Sequence, residues 1–202
     1  MNLAALAKNK IIFTTRGLAF EARRNISSVS RSLSMLDGTA GIVKVTRGVW
    51  ANTSHPYFSA YAAVPYLLDA EQGYVSFLSA LQRHGVISQI PSVIQIATTG
   101  RNRTVFSKAG NFEFIRLSPK LMRSGFGSYG DTATYNMASP EKALFDCVYI
   151  STRKNKRFGS FPEIELEEID LCKIADLIAY SDLPDGLRTA IQKRMQKIGG
   201  LL

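Results

Sequence analysis

Residues 25–36 contain the residue types and spacing that best fit a recognition chemistry. Apolar residues recur there at intervals of three and four, which is the period of one helical face. The opposite face carries Ser27, Ser28, Ser30, Arg31 and Ser34. Hydroxyls and a guanidinium can form hydrogen bonds with base edges in the major groove of DNA. The same pattern also fits an ordinary surface helix, so both interpretations stay open for this segment alone.

Other segments contain residues that often carry catalytic or cofactor chemistry. The sequence GFGSYG at 125–130 matches G-x-G-x-x-G, but a strand-like segment follows it where a dinucleotide site needs a helix, so we predict a flexible glycine loop. Glu163 and Glu165 alternate in an extended segment, yet no third carboxylate stands at a spacing that favours a metal. His55 and His84 belong to no ligand cluster. We predict no enzyme, no cofactor and no metal, with a metal-dependent phosphate-handling enzyme as a minor alternative.

The elements around the serine-rich face follow the order of a winged helix-turn-helix domain. Periodicity predicts a first helix over 2–8 and a second over 16–24, capped by Thr14 or Thr15 because a hydroxyl there can accept from a free backbone N–H. The third helix starts at Asn25 or Ser27 and ends at 37–38, where glycine adopts the left-handed conformation cheaply.

A short basic hairpin follows the third helix. We predict strands over 42–45 and 49–51, joined through Thr46-Arg47-Gly48. Trp50 is expected to pack this hairpin onto the helices, with stacking on a base as the alternative. In winged helix-turn-helix proteins the recognition helix enters the major groove, and the hairpin provides further contacts. The segment therefore has the composition of a DNA-binding module.

The distribution of charge supports an anionic partner for the first quarter of the chain. The 202 residues carry a net charge of +9 at pH 7, and the pI is about 9.7. Residues 1–52 contain eight Lys or Arg and two acids, a net charge of +6. Such an asymmetry favours a nucleic-acid module at the N-terminus. A hydrophobic content of 46% with 20% charged residues is ordinary for a globular protein.

Cysteine use and hydropathy predict a cytoplasmic protein. The two cysteines, Cys147 and Cys172, imply no disulfide framework, and the first lies in an apolar helical pattern. We find no apolar run of about 18 residues, so no transmembrane helix is expected. The N-terminal apolar stretch is too short for a secretory signal.

The polar sequence at 52–56 ends in proline and predicts a domain boundary. Beyond it we expect helices and strands in alternation. The predicted helices cover 57–68, interrupted or ended near Pro65, then 74–84, 171–180 and 184–198, and a further helix that opens at Ser139-Pro140-Glu141 and includes Ile150. The predicted strands cover 93–98, 103–108, 112–117 and 132–137. Ser139-Pro140-Glu141 is a strong helix start, with a cap, a proline and an acid in order. The fold class is α+β: an N-terminal winged helix-turn-helix (1–52), then a larger α+β domain (56–202) with several helices and a small, mostly antiparallel sheet.

Three segments of the larger domain are distinctive: GYVSFLSALQRHGVISQIP (73–91), ASPEKALFDCVYIS (138–151) and FPEIEL (161–166). In these segments the chain resembles the AbiEi-type antitoxin family of type IV toxin–antitoxin and abortive-infection (phage-defence) systems, and the resemblance covers most of the chain. It implies an N-terminal domain that binds inverted repeats in its own promoter and represses the operon. It also implies a C-terminal domain that counters a nucleotidyltransferase toxin without a stable complex. From the apolar content we expect no membrane partner.

The predicted DNA contacts divide by role. Lys44 and Arg47 should contact phosphates with the threonines that precede the second helix, whereas the serine-rich face should read base edges. Arg31 is the one basic residue of the recognition helix, so strong guanine readout is not expected. The full predicted set is Thr14, Thr15, Arg16, Asn25, Ser27, Ser28, Ser30, Arg31, Ser34, Lys44 and Arg47.

A second basic group is the predicted antitoxin surface. Its members are Lys142, Arg153, Lys154, Lys156 and Arg157. A solvated loop after a helix is the simpler interpretation of 153–157. For the whole chain, the alternative to an antitoxin is a stand-alone winged-helix regulator whose C-terminal domain senses a ligand or a partner.

Overall fold

Two β-sheets and eight α-helices form the described part of the chain, residues 2–153 and 157–198 of a computed structural model, so the structure is mixed α/β. The helices are α1 (Leu3–Lys8), α2 (Thr15–Ala22), α3 (Ile26–Leu36), α4 (Val64–Leu68), α5 (Phe77–Arg83), α6 (Pro140–Ser151), α7 (Leu171–Tyr180) and α8 (Asp185–Lys197). The strands are β1 (Ile12–Thr14), β2 (Ile42–Thr46), β3 (Val49–Asn52), β4 (Gly73–Val75), β5 (Ile94–Thr98), β6 (Arg103–Ser107), β7 (Gly110–Arg116), β8 (Phe126–Tyr129) and β9 (Tyr135–Ala138).

The N-terminal part, residues 2–52, contains three helices and a three-stranded antiparallel sheet in the order β1-β3-β2. The predicted helices and both strands of the hairpin are present within one or two residues of their expected bounds. Sequence analysis missed β1, whose three residues pair with β3. Three residues are too few to show a strand period, and only pairing with distant β3 reveals the strand.

A turn of three residues joins α2 to α3. Arg23 adopts a left-handed conformation (φ 52°), and its N–H donates to the carbonyls of Ala19 and Phe20. The Asn25 side chain then accepts from Ser27 N at 2.8 Å, which caps α3. Both helix ends at the turn therefore have partners for backbone groups that would otherwise lack them.

The three-stranded sheet is buried on both faces. Phe13, Ile42 and Trp50 pack with the helices of the N-terminal part. Val43 and Val45 belong instead to the hydrophobic core of the C-terminal part, the described residues from 57 onwards. Ile12, Val49 and Ala51 belong to that same larger core. The chain on either side of the predicted boundary at 52–56 is thus joined by side-chain packing.

The C-terminal part is built on a six-stranded mixed sheet in the order β6-β7-β5-β4-β9-β8. Three of its five strand pairs are antiparallel, β6–β7, β4–β5 and β8–β9, and two are parallel, β5–β7 and β4–β9. Helix α6 packs against α5, α7, α8 and β9. Its residues from Glu141 to Ile150 are all buried.

Three element predictions in the C-terminal part were wrong. The helix expected over 74–84 is the strand β4 followed by α5, because Tyr74 and Val75 pair with β5 and helical geometry begins only at Phe77. The helix expected over 57–68 is reduced to a 3-10 turn at Ala60–Ala63 and the short α4. The flexible loop expected at 125–130 contains β8, which pairs with β9 in a regular antiparallel register.

Candidate nucleic-acid interface

Helix α3 presents an apolar face to the core and a polar face to solvent. Val29 and Leu33 are fully buried against α2, β2 and Trp50. Five polar residues of α3 lie on its exposed side: Ser27, Ser28, Ser30, Arg31 and Ser34. The Ser34 hydroxyl donates to the Ser30 carbonyl at 2.9 Å, so its proton is used within the helix while its lone pairs stay accessible.

The β2–β3 hairpin lies beside the end of α3. Asp37, directly after α3, accepts a hydrogen bond from the backbone N–H of Lys44 at 3.1 Å. The register shifts between Lys44 and Thr46, and Gly48 occupies the turn with φ +78°. The side chains of Lys44 and Arg47 are exposed. Helix and hairpin together therefore present cations and hydroxyls on neighbouring elements.

Thr14 and Thr15 both have structural roles, and of these only the capping of α2 was predicted from the sequence. Thr14 caps α2 by accepting from Gly17 N at 3.0 Å. Thr15 is buried, and its hydroxyl accepts from Trp50 Nε1 at 2.9 Å. The prediction that Thr15 contacts a phosphate was wrong, because its side chain does not reach the surface. The expected packing role of Trp50 is confirmed, since its side chain is 2% exposed.

The N-terminal part leaves most of its cations in water. Lys10 pairs with Glu21 at 2.7 Å, and this is the one ion pair within residues 2–52. The exposed cations on these residues are Lys8, Arg16, Arg23, Arg24, Arg31, Lys44 and Arg47. Exposed like charges repel one another weakly in water and attract a polyanion strongly at low salt.

The described members of the second basic group, Lys142, Arg153 and Arg157, do not form a common exposed surface. Lys142, predicted to lie on that surface, is 1% exposed and forms an ion pair with Asp146 inside the protein. That prediction was wrong. Arg157 pairs with Glu113, and Arg153 donates to Tyr149 Oη at 2.5 Å. Lys154 and Lys156, also predicted there, lie outside the described residues.

A buried polar network surrounds Asp146 at the centre of the C-terminal part. Its carboxylate is bonded by Lys142 Nζ and accepts from Tyr74 Oη at 3.0 Å and Ser76 Oγ at 2.8 Å. Burial raises the pKa of Asp146 against the opposing effect of the Lys142 charge. Burial and the neighbouring carboxylate raise the pKa of Tyr74 well above its ordinary value. This network was not predicted from the sequence, because the i, i+4 spacing of Lys142 and Asp146 predicts that they pair but not that the pair is buried.

A cavity of about 430 Å³ lies between the start of α6 and α7. Its apolar lining comes from Leu121, Phe145, Leu177 and Tyr180, and Lys142 also lines it. Several charged side chains, including Lys173 and Asp176, stand around it. A volume of this size fits a small organic ligand.

The other candidate chemical sites are not assembled in the described part of the chain. Glu163 and Glu165 are exposed, and no group of three His, Cys, Asp or Glu side chains there lies close enough to hold a metal ion. The His84 ring bonds to the Ala138 carbonyl at 2.8 Å, which gives it a structural role.

Within residues 2–153 and 157–198, every helix is too short or too polar to cross a membrane.

The chain was compared with known protein families and with curated proteins. No protein-family model matches the chain, and no curated protein shows significant similarity to it.

Proposed function

We propose that this chain binds double-stranded DNA through α3 and the β2–β3 hairpin, as a winged helix-turn-helix protein, and represses its own operon. The observation that carries the proposal is the division of α3 into two faces. Val29 and Leu33 anchor the helix, while Arg31 and four serines face solvent beside a cationic hairpin. The order helix, strand, helix, helix, strand, strand and the three-residue turn between α2 and α3 support the same assignment.

The contacts divide by chemistry. In this proposal Lys44, Arg47 and Arg16 lie against phosphates, which supplies affinity without sequence preference. The serines and Arg31 read base edges. Thr14 and Asn25 cap helices through their side-chain oxygens, which leaves the Thr14 hydroxyl proton and the Asn25 side-chain amide as donors for phosphate. Few of the residues proposed to read bases are strong donors, so one copy of the protein should bind a single site weakly. Two linked copies that bind the two halves of an inverted repeat would have a higher overall affinity for the DNA.

Fluorescence anisotropy with a duplex from the promoter of its own operon tests the proposal. Replacing Arg31 by Ala should weaken binding to the promoter by about 1–3 kcal/mol, roughly 5- to 150-fold, where the guanidinium contacts a base in a bidentate way. Binding to a scrambled duplex should change far less. Lys193→Ala, which removes an exposed charge on α8, is the matched control and should leave both affinities unchanged. Equal promoter binding by Arg31→Ala and the unmodified protein would contradict the base-reading role.

We further propose, from the resemblance to AbiEi-type antitoxins, that the C-terminal part counters a nucleotidyltransferase toxin. The stand-alone regulator is the second candidate, and the cavity between α6 and α7 favours it as a place for a sensed ligand. Growth of cells that co-express the gene next to its own, which the antitoxin proposal expects to encode a nucleotidyltransferase, separates the two. The full chain carrying Arg31→Ala, expressed from an unrelated promoter, should rescue growth if the antitoxin proposal holds, whereas a stand-alone regulator gives no rescue.

A further inference from the structure

A groove joins the two sheets where β2 lies against β6. Its volume is about 530 Å³, and its walls come from both parts of the chain. Lys44 and Thr46 line it from the hairpin, while Thr104 and Lys108 line it from β6 and the turn that follows. These two strands contact each other although they belong to different sheets. Residues before and after the predicted boundary at 52–56 therefore share one surface.

The polar lining of the groove is positively charged. Lys44 and Lys108 are both exposed, and neither forms an ion pair with a described residue. The single acid in the groove, Asp37, accepts from the backbone N–H of Lys44 rather than from a lysine ammonium. Thr46 and Thr104 add hydroxyl groups. This set of donors fits the phosphate oxygens of a nucleic-acid backbone.

Lys108 also lies close to the end of α3. A β-carbon placed on Gly38, two residues beyond α3, would stand 3.1 Å from Lys108 Nζ. The ammonium is therefore beside both the recognition helix and the hairpin. One structural role could explain this position, because a cation stabilises the C-terminal end of a helix. The salt dependence of DNA binding separates that role from contact with phosphate.

We propose that Lys108 contacts the DNA backbone together with Lys44, so that the interface continues from the N-terminal part onto the β6–β7 turn. This inference rests on the proposed DNA-binding function. According to this inference, the larger sheet contributes directly to the affinity for DNA. Because the contact is to phosphate, it does not depend on the DNA sequence. It increases the number of counterions that the DNA releases when the protein binds.

The test uses the full chain with the Lys108→Gln substitution, which keeps most of the side-chain stem. Binding to the promoter duplex and to a scrambled duplex of equal length is measured by anisotropy between 50 and 300 mM KCl. Each phosphate contact contributes about 0.9 to the slope of log K against log salt on B-DNA. Lys108→Gln should reduce the magnitude of this negative slope by about 0.9 on both duplexes. Lys108→Arg should leave the magnitude of the slope unchanged. Lys193→Ala removes the same unit of charge from α8 and should leave the slope unchanged.

The outcomes separate this inference from the proposed function. If the unmodified protein binds the duplex and Lys108→Gln keeps its slope, the backbone contact is wrong while DNA binding stands. An equal fall with Lys193→Ala also overturns it, since the effect would then come from total charge. If Lys108→Gln lowers the unfolding midpoint but leaves the salt slope of DNA binding unchanged, Lys108 only stabilises the end of α3, and the inference is wrong. If the unmodified protein binds neither duplex, both proposals fail together.

Discussion

Lys142 carries its charge in a part of the molecule from which water is excluded. The ammonium lies 5.5 Å from the ring centre of Tyr74 and 5.2 Å from that of Phe145, and its ion pair partner Asp146 is fully buried. Two hydroxyls, from Tyr74 and Ser76, complete the coordination of the carboxylate. A buried pair of this kind is costly to break, because removing one partner leaves an unpaired charge in the core.

Replacing Lys142 by Ala should therefore lower the free energy of unfolding by about 3–5 kcal/mol. The double variant Lys142→Met with Asp146→Asn should recover part of the loss, since it removes both charges and keeps an acceptor for Tyr74 and Ser76. Urea denaturation followed by far-UV circular dichroism measures both. Lys193→Ala, on an exposed face of α8, should change stability by less than about 0.5 kcal/mol. If Lys142→Ala lowers the free energy of unfolding by no more than this control does, the ion pair makes no contribution to stability.

The sequence could not show that Lys142 is buried. Lys and Asp four residues apart stabilise exposed helix surfaces in the same way, so spacing alone does not report depth. The hydroxyls that bind Asp146 lie about seventy residues earlier and come together with it only when β4 packs against α6. Arg31 and Lys44 were easier to place, because α3 and the hairpin are local and amphipathic.

At the scale of elements, sequence signals worked best where one short pattern determines the structure. The Ser139-Pro140-Glu141 start of α6 is such a case, and the Ser139 hydroxyl does accept from Lys142 N at 3.2 Å. The stretch 125–130 shows the opposite. Its three glycines weaken the strand signal, and β8 exists because β9 supplies a pairing partner. A strand that depends on its neighbour cannot be read from its own residues.

Two glycines of this stretch make a matched pair. Gly125 has φ +83°, and a β-carbon there would lie 2.9 Å from the buried stem of Lys142, whereas Gly127 has open space around it. Gly125→Ala should lower the free energy of unfolding by about 1–3 kcal/mol, because of backbone strain and the close contact. Gly127→Ala should be near neutral or raise it by up to about 1 kcal/mol. Urea midpoints compare the two, and equal shifts would contradict the geometry.

At the scale of the whole molecule, the two parts of the chain should unfold together. Val43 and Val45 of β2 belong to the larger core, while Trp50 of the adjacent strand belongs to the N-terminal one. Trp50 is the single tryptophan of the chain, so its fluorescence reports on the N-terminal part. Circular dichroism reports mainly on the larger C-terminal part. Shared packing of this extent predicts one cooperative transition.

Fluorescence and circular dichroism should therefore give coincident urea transitions. Val45→Ala should lower both midpoints equally, with a loss of about 2 kcal/mol at ~0.8 kcal/mol for each buried methyl group and some cavity cost. Two separated transitions, or a shift in the fluorescence midpoint alone, would show that the parts fold independently. The polar sequence at 52–56 predicted a boundary, and it could not reveal this packing, because the residues that join the two parts are scattered over β1, β2 and β3.

The burial of β3 on both faces has a consequence for how this protein can evolve. All four of its residues are buried; Val49, Trp50 and Ala51 each pack in one of the two cores, and the Asn52 side chain is held by hydrogen bonds to Lys8 O and Ser54 N. The exposed face of α3 is less constrained, since its serines and Arg31 are exposed and belong to neither core. If α3 binds DNA as proposed above, substitutions on its exposed face can change the preferred DNA sequence while the buried residues that hold the helix stay the same.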